Sequence, residues 1–272
     1  MGLILKNINN GIGRVRLTLN APSAPSAPPS GFDPDALTYL EAVEEADGQA
    51  LESAVRAAIN DFVVGCKTDG IWDAIKASCI LAGARTLSGA LVPLAGTAPT
   101  NFNFVSGDYD RKTGLKGDGS TKYLDSNRNN NADPQDSKHI SVYVQQASNL
   151  LASYIAGKTN TWIARDSSAL YSRINQTPSI VQSGLQSETG FIAANRPSST
   201  IIQTISGGAL PVSHSSSSTA PANENLFIFQ KGDNTQRNDA RLAFYSIGES
   251  LDLALLDTRV SNLITAIGAA IP

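Results

Sequence analysis

The sequence predicts a mainly β protein: a β-sandwich with a small helical region before it, a C-terminal helix and an extended N-terminal arm. Three observations carry that expectation. Short β-type runs recur between turn signals from residue 90 onward, as in antiparallel sandwiches. The 272 residues include 30 Ser, 20 Asn and 18 Thr, a polar but uncharged bias that suits turns and strand faces. Helical three-and-four spacing is confined to the stretches on either side of those runs.

Residues 1–31 hold Lys6, Arg14 and Arg16 and no acid, a net charge of +3. Val15, Leu17 and Leu19 alternate with Arg14, Arg16 and Thr18, which predicts a short strand over about 13–20. Residues 21–30 are Pro, Ala and Ser only. Such a stretch favours extended polyproline II and could span roughly 30 Å. A strand-like peptide on a stiff spacer has the form of an attachment arm, with Lys6, Arg14, Arg16, Leu17 and Leu19 as its candidate contacts.

Residues 32–96 carry a net −6 and read as a helical region. Asp33-Pro34 opens a helix, the acid as N-cap and the proline at the first helical position. Leu51, Val55, Ile59, Phe62 and Val63 predict a second helix over about 49–64, ended by Gly65. Residues 71–76 read as a third helical turn. Cys66 and Cys79 fall in this apolar stretch, as two reduced core cysteines.

Residues 97–272 are charge-neutral and carry the sandwich. Predicted strands cover 90–94, 122–125, 140–144, 162–164, 169–174, 180–181, 190–195, 199–205, 225–231 and 241–247. Residues 213–219, Ser-His-Ser-Ser-Ser-Ser-Thr, are expected to be an unstructured loop. Residues 251–267 return to helical spacing.

Function classes follow from what is scarce. Two His, two Cys and one Met leave little for a metal centre or a His-based catalytic site. A net charge of −3 argues against nucleic acid as a partner. No run of about 20 apolar residues suggests a membrane span, and the N-terminus lacks a signal-peptide pattern. Glycoside hydrolysis needs two carboxylates about 5–9 Å apart; Asp108 with Asp110, and Asp133 with Asp136, are the available pairs. Calcium could be held by the oxygen-rich loops of Asp108, Asp110, Asp118, Asp125 and Asn127; no other cofactor is expected. His139 and His214 read as strand-edge or surface residues. Tyr154, Trp162 and Tyr171 lie among the strands. They read either as sandwich core or as rings that stack on a sugar.

Three stretches resemble concanavalin A-like (laminin-G-like) jelly-roll domains of bacteriophage proteins. Phe244-Tyr245-Ser246-Ile247-Gly248-Glu249 and the helix after it resemble the closing strand and terminal helix. Residues 107–125 resemble the domain's entry, and residues 61–87 a segment that often precedes it. The resemblance covers roughly residues 60–272. It implies a non-enzymatic virion structural protein of tail, fibre, baseplate or capsid decoration. It further implies homo-oligomers, often trimers, contacts with other virion proteins, an arm bound to the particle and a sandwich facing outward. A host-glycan adhesin on the same fold is the alternative, and a glycoside hydrolase a third reading.

Overall fold

In a computed structural model the described residues are 31–149, 153–166, 168–185, 187–231 and 236–272. The expected arm, with Lys6, Arg14, Arg16, Leu17 and Leu19, lies outside them. Residues Phe32–Pro272 form one compact unit.

The chain opens with helices α1 (Pro34–Asp47) and α2 (Ser53–Thr68). Asp33 caps α1, its carboxylate accepting the Asp35 N–H at 2.9 Å, and Gly48 closes it at φ 66°, a conformation cheap only for glycine. Strand β1 (Ile75–Ile80), the short helix α3 (Leu87–Ala90), β2 (Thr100–Phe102), β3 (Tyr109–Asp110), β4 (Gly114–Lys116) and β5 (Tyr123–Asn129) follow. Next come β6 (Lys138–Gln146), β7 (Ser153–Lys158), β8 (Thr161–Arg165), β9 (Ala169–Ile174), β10 (Ile180–Ser183), β11 (Gly190–Ser198) and β12 (Ile201–Ser206). The last elements are β13 (Val212–Ser215), β14 (Asn225–Ile228), β15 (Gln230–Lys231), β16 (Gln236–Arg237), β17 (Arg241–Gly248) and α4 (Leu253–Ala270).

Two antiparallel sheets form a sandwich. The first runs β13-β12-β11-β6-β17-β4-β3, and the second β10-β9-β8-β7-β14-β5-β2. One edge of β17 pairs along β6. Its other edge is shared, β4 meeting Arg241 and Leu242 and β1 meeting Phe244–Gly248. Between the sheets, Val142, Ile192, Tyr245 and Ile247 meet Leu124, Ile163, Leu170 and Ile228 in one core.

A second core lies on the far side of the first sheet. There α1, α2 and α4 bury Leu40, Val55, Phe62, Leu256, Val260 and Leu263 against Phe191, Ala193, Ile205 and Phe244. The Phe62 and Phe244 rings meet edge-on at 5.7 Å, a favoured aromatic geometry. The molecule is therefore three-layered: helices, first sheet, second sheet. Among the described residues the first sheet is covered on both faces, and no helix covers the second.

Four expectations are corrected. The third helical turn stops at Ala74, and Ile75 starts a strand, because β17 offers an edge for it to pair along. The helical block and the sandwich thus share a sheet. The expected strand at 90–94 is instead the exit of α3, capped by Thr86 through a 3.2 Å bond to Gly89 N–H. Gly65 continues α2, where the Arg259 side chain fills the space a Cβ would need. Part of the Ser-rich loop is strand β13, paired to β12. Cys66 and Cys79 are free and buried, the latter on β1.

Candidate functional site

Alternation along the strands of the second sheet divides its side chains. Leu124, Ile163, Leu170, Ile174 and Ile228 point into the core. Their neighbours therefore point outward. Register sets one row across the sheet, with Asp125 opposite Phe227, Phe227 opposite Gly157, Gly157 opposite Trp162 and Trp162 opposite Arg173; the pair Phe102 and Tyr123 stands beside it, two residues along β5 from Asp125. A second row runs Tyr154, Ala164, Tyr171 and Val181.

The rings of the first row and of the Phe102–Tyr123 pair are interleaved with cations, and Gly157 separates Phe227 from Trp162. The Phe102 and Tyr123 rings stack at 4.3 Å and 4°, and Tyr123 tilts against Phe227 at 5.3 Å. Lys158 Nζ lies 4.7 Å from the Phe227 ring centre. Lys231 Nζ and Arg173 lie 5.0 and 5.4 Å from the Trp162 ring, and Arg237 lies 5.3 Å from Tyr123. Cations over ring faces are attracted by the ring quadrupole. The hairpin β15–β16 supplies Lys231 and Arg237, one to each half of the strip. Gly157 makes the middle of the row possible. Its φ is 119°, and a Cβ would sit on Thr161 O and the Trp162 backbone.

Exposure grades along the strip. Phe102 is 36% exposed, whereas Trp162 is 4% exposed beneath its two cations. Trp162 and Tyr171 thus share one face, as a sugar platform needs, but Trp162 is roofed over. The Tyr171 hydroxyl donates to Asp166 at 2.9 Å, which raises its own pKa. Tyr154 occupies the matching place on β7 by register, and its side chain is outside the described residues. Sequence reading missed Phe102, Tyr123 and Phe227. The run Asn225-Leu226-Phe227-Ile228-Phe229 looks apolar on both sides, and only the register shows that Phe227 points out.

The other candidates are occupied by local structure. Asp108 pairs with Lys122 and accepts Val105 N–H. Asp110 accepts Lys112 N–H, Thr113 N–H and the Thr113 hydroxyl. Asp118 accepts three backbone N–H groups and the Thr121 hydroxyl, and these bonds hold its carboxyl well below the usual range. Asp125 accepts Asn127 N–H and Asn225 Nδ2. Each is a turn-forming acid rather than a member of a converging set, and among the described residues no three His, Cys, Asp or Glu gather to hold a metal. Asp133 is buried between Arg128 and Lys138.

His139 corrects the surface expectation: it is fully buried. Its Nδ1 lies 2.6 Å from the Glu249 carbonyl, which can only accept, so Nδ1 carries the proton. Nε2 then accepts from Ser246 at 2.9 Å, and Ser246 meets Ser141 at 2.7 Å. Burial pushes the His139 pKa down to about 4. This serine–histidine chain is a core network without an opening for substrate. His214 sits on edge strand β13, 2.9 Å from the Thr204 hydroxyl.

The fold and the strip together define a helix-backed β-sandwich with one aromatic-cationic face. No protein-family model matches the chain, and no curated protein does. Among solved structures, the serotype D botulinum neurotoxin binding domain is 12% identical with a TM-score of 0.47, covering 70% of this chain and 51% of that one. The binding domain of botulinum neurotoxin DC in complex with SialylT is 14% identical, with a TM-score of 0.45 and coverage of 72% and 52%. A Trypanosoma rangeli sialidase in complex with sialic acid is 12% identical, with a TM-score of 0.45 and coverage of 71% and 33%. The chain thus spans about half the length of the neurotoxin domains it matches. The fold of this chain is defined by the strand pairing described above.

Proposed function

We propose that the protein is a non-enzymatic binding module that takes a glycan on the outer face of its second sheet. The aromatic-cationic strip, on the sheet face that no helix covers, carries this reading. A sugar ring has an apolar face ringed by hydroxyls. Flat rings suit the first, and amide, carboxylate and cationic groups at their rims suit the second. Asp125 and Asn225 stand beside Phe227 on β5 and β14, and Lys158, Arg173 and Arg237 stand over or between the rings.

A virion role is compatible with this reading, because a particle-borne adhesin would present the face outward. Particle attachment and trimer formation are carried by the phage resemblance alone.

The test is a glycan array with the full chain, followed by titration of any hit. Saturable binding is expected. Phe102→Ala with Tyr123→Ala removes the exposed stacked pair, and at about 1 kcal/mol per aromatic contact it should weaken binding tenfold or more. Unchanged affinity in that double variant, or no saturable binding to any sugar, would overturn the reading.

A further inference from the structure

We propose that Arg165 is the anchor of a second, oxyanion-binding site at one end of the sandwich, separate from the aromatic strip. Three arginines of this fold make the comparison. Arg259 presents its Nε and Nη2 edge to Asp69 and is paired at both atoms, at 2.7 and 2.8 Å. Arg196 is fully buried and fully used: Nε donates to Ile174 O, Nη1 to Ser216 O and Ser198 O, and Nη2 to Gln176 Oε1. Arg165 is 5% exposed, yet only its Nη1 is bonded, to Ser206 Oγ at 2.6 Å. Its Nε and Nη2 are both buried without a partner.

That vacant pair is the edge that grips carboxylates and phosphates with two parallel bonds. The Ser206 bond fixes the guanidinium plane, so the edge is held ready. A buried cation also lacks a counter-charge here, which is costly. The nearest carboxylates in electrostatic terms are Glu188 and Asp166, and neither forms an ion pair with it. Asp166 is fully engaged by Ser168, Ala169 and Tyr171. A bound water could accept two N–H bonds but would bring no charge. A carboxylate, phosphate or sulfate group supplies both.

Arg165 ends β8 and Ser206 ends β12, one strand from each sheet.

The experiment uses the full chain at constant ionic strength, with acetate, inorganic phosphate and sulfate as separate probes in thermal unfolding. A saturable rise in Tm is expected with at least one anion. A planar carboxylate response and a tetrahedral one distinguish the two ligand shapes. Arg165→Gln should abolish the rise, and Arg165→Lys, which keeps the charge without the paired edge, should weaken apparent affinity about tenfold. The same rise in Arg165→Gln would overturn the proposal. Should that variant fail to fold, wild-type crystals soaked in selenate decide. A selenium peak within bonding distance of Nε and Nη2 supports the site. An ordered water there, or the Glu188 carboxylate swung onto the edge, overturns it. The Phe102 and Tyr123 variants leave the anion response unchanged.

Discussion

At the scale of single residues, burial decides chemistry. His139 is expected to make stability depend on pH. Unfolded, an imidazole titrates near 6.5, and here it titrates near 4. Between those values the unfolded chain binds more protons, so stability is complete above about pH 6.5 and falls as the solution is acidified toward 4. The two values imply a loss of about 3 kcal/mol. Denaturant titrations at pH 7 and 4.5 measure it, and a His139→Gln variant, weaker at neutral pH, should show little of that slope. Equal midpoints for the native chain at both pH values would refute the assignment. Gly157 is the second sensitive point. Gly157→Ala places a methyl group onto Thr161 O and the Trp162 backbone at φ 119°. It should cost at least about 2 kcal/mol, combining strain with a clash. An unchanged melting curve would mean that the centre of the aromatic row is looser than its register indicates.

At the scale of elements, α4 divides into a buried and an exposed side. Leu263 is 2% exposed and packed in the helical core. Leu263→Ala is expected to cost about 2–5 kcal/mol, whereas Leu255→Ala on the exposed side of the same helix should stay within about 0.5. Denaturant midpoints of the two variants check the direction each face points. This helix was legible in the sequence from its apolar spacing, expected over 251–267 and observed over Leu253–Ala270. Strand β17 and the Asp33-Pro34 helix start were legible for similar local reasons. Strand β1 was not. Ile75-Lys76-Ala77-Ser78-Cys79-Ile80 has no strand signature of its own; it becomes a strand because β17 offers an unpaired edge. Short strands such as β4 and β13 are also made by their partners rather than by propensity. The candidate site was half visible for the same reason. Trp162 and Tyr171 could be picked out as aromatic residues, but which face Phe227 and Tyr123 occupy is a property of register, and register is not written in any one strand.

At the scale of the whole molecule, residues Phe32–Pro272 form one compact unit. A chain beginning at residue 32 is therefore expected to fold with a melting temperature within a few degrees of the parent. Removal of residues 253–272 should instead give aggregated protein, because it uncovers Phe191, Ala193 and Phe244 on the first sheet. Size-exclusion chromatography and calorimetry of both truncations test this, and a soluble, cooperatively melting chain without α4 would contradict the three-layer description. The pairing of β1 with β17 also sets a schedule for synthesis. The contact between Cys79 and Tyr245 joins residues 166 apart. At about 5–20 residues per second, β1 leaves the ribosome roughly ten to thirty seconds before its partner strand exists. During that interval its edge is open and its apolar side chains are wet. The first sheet of this unit is thus completed only after most of its chain has been made.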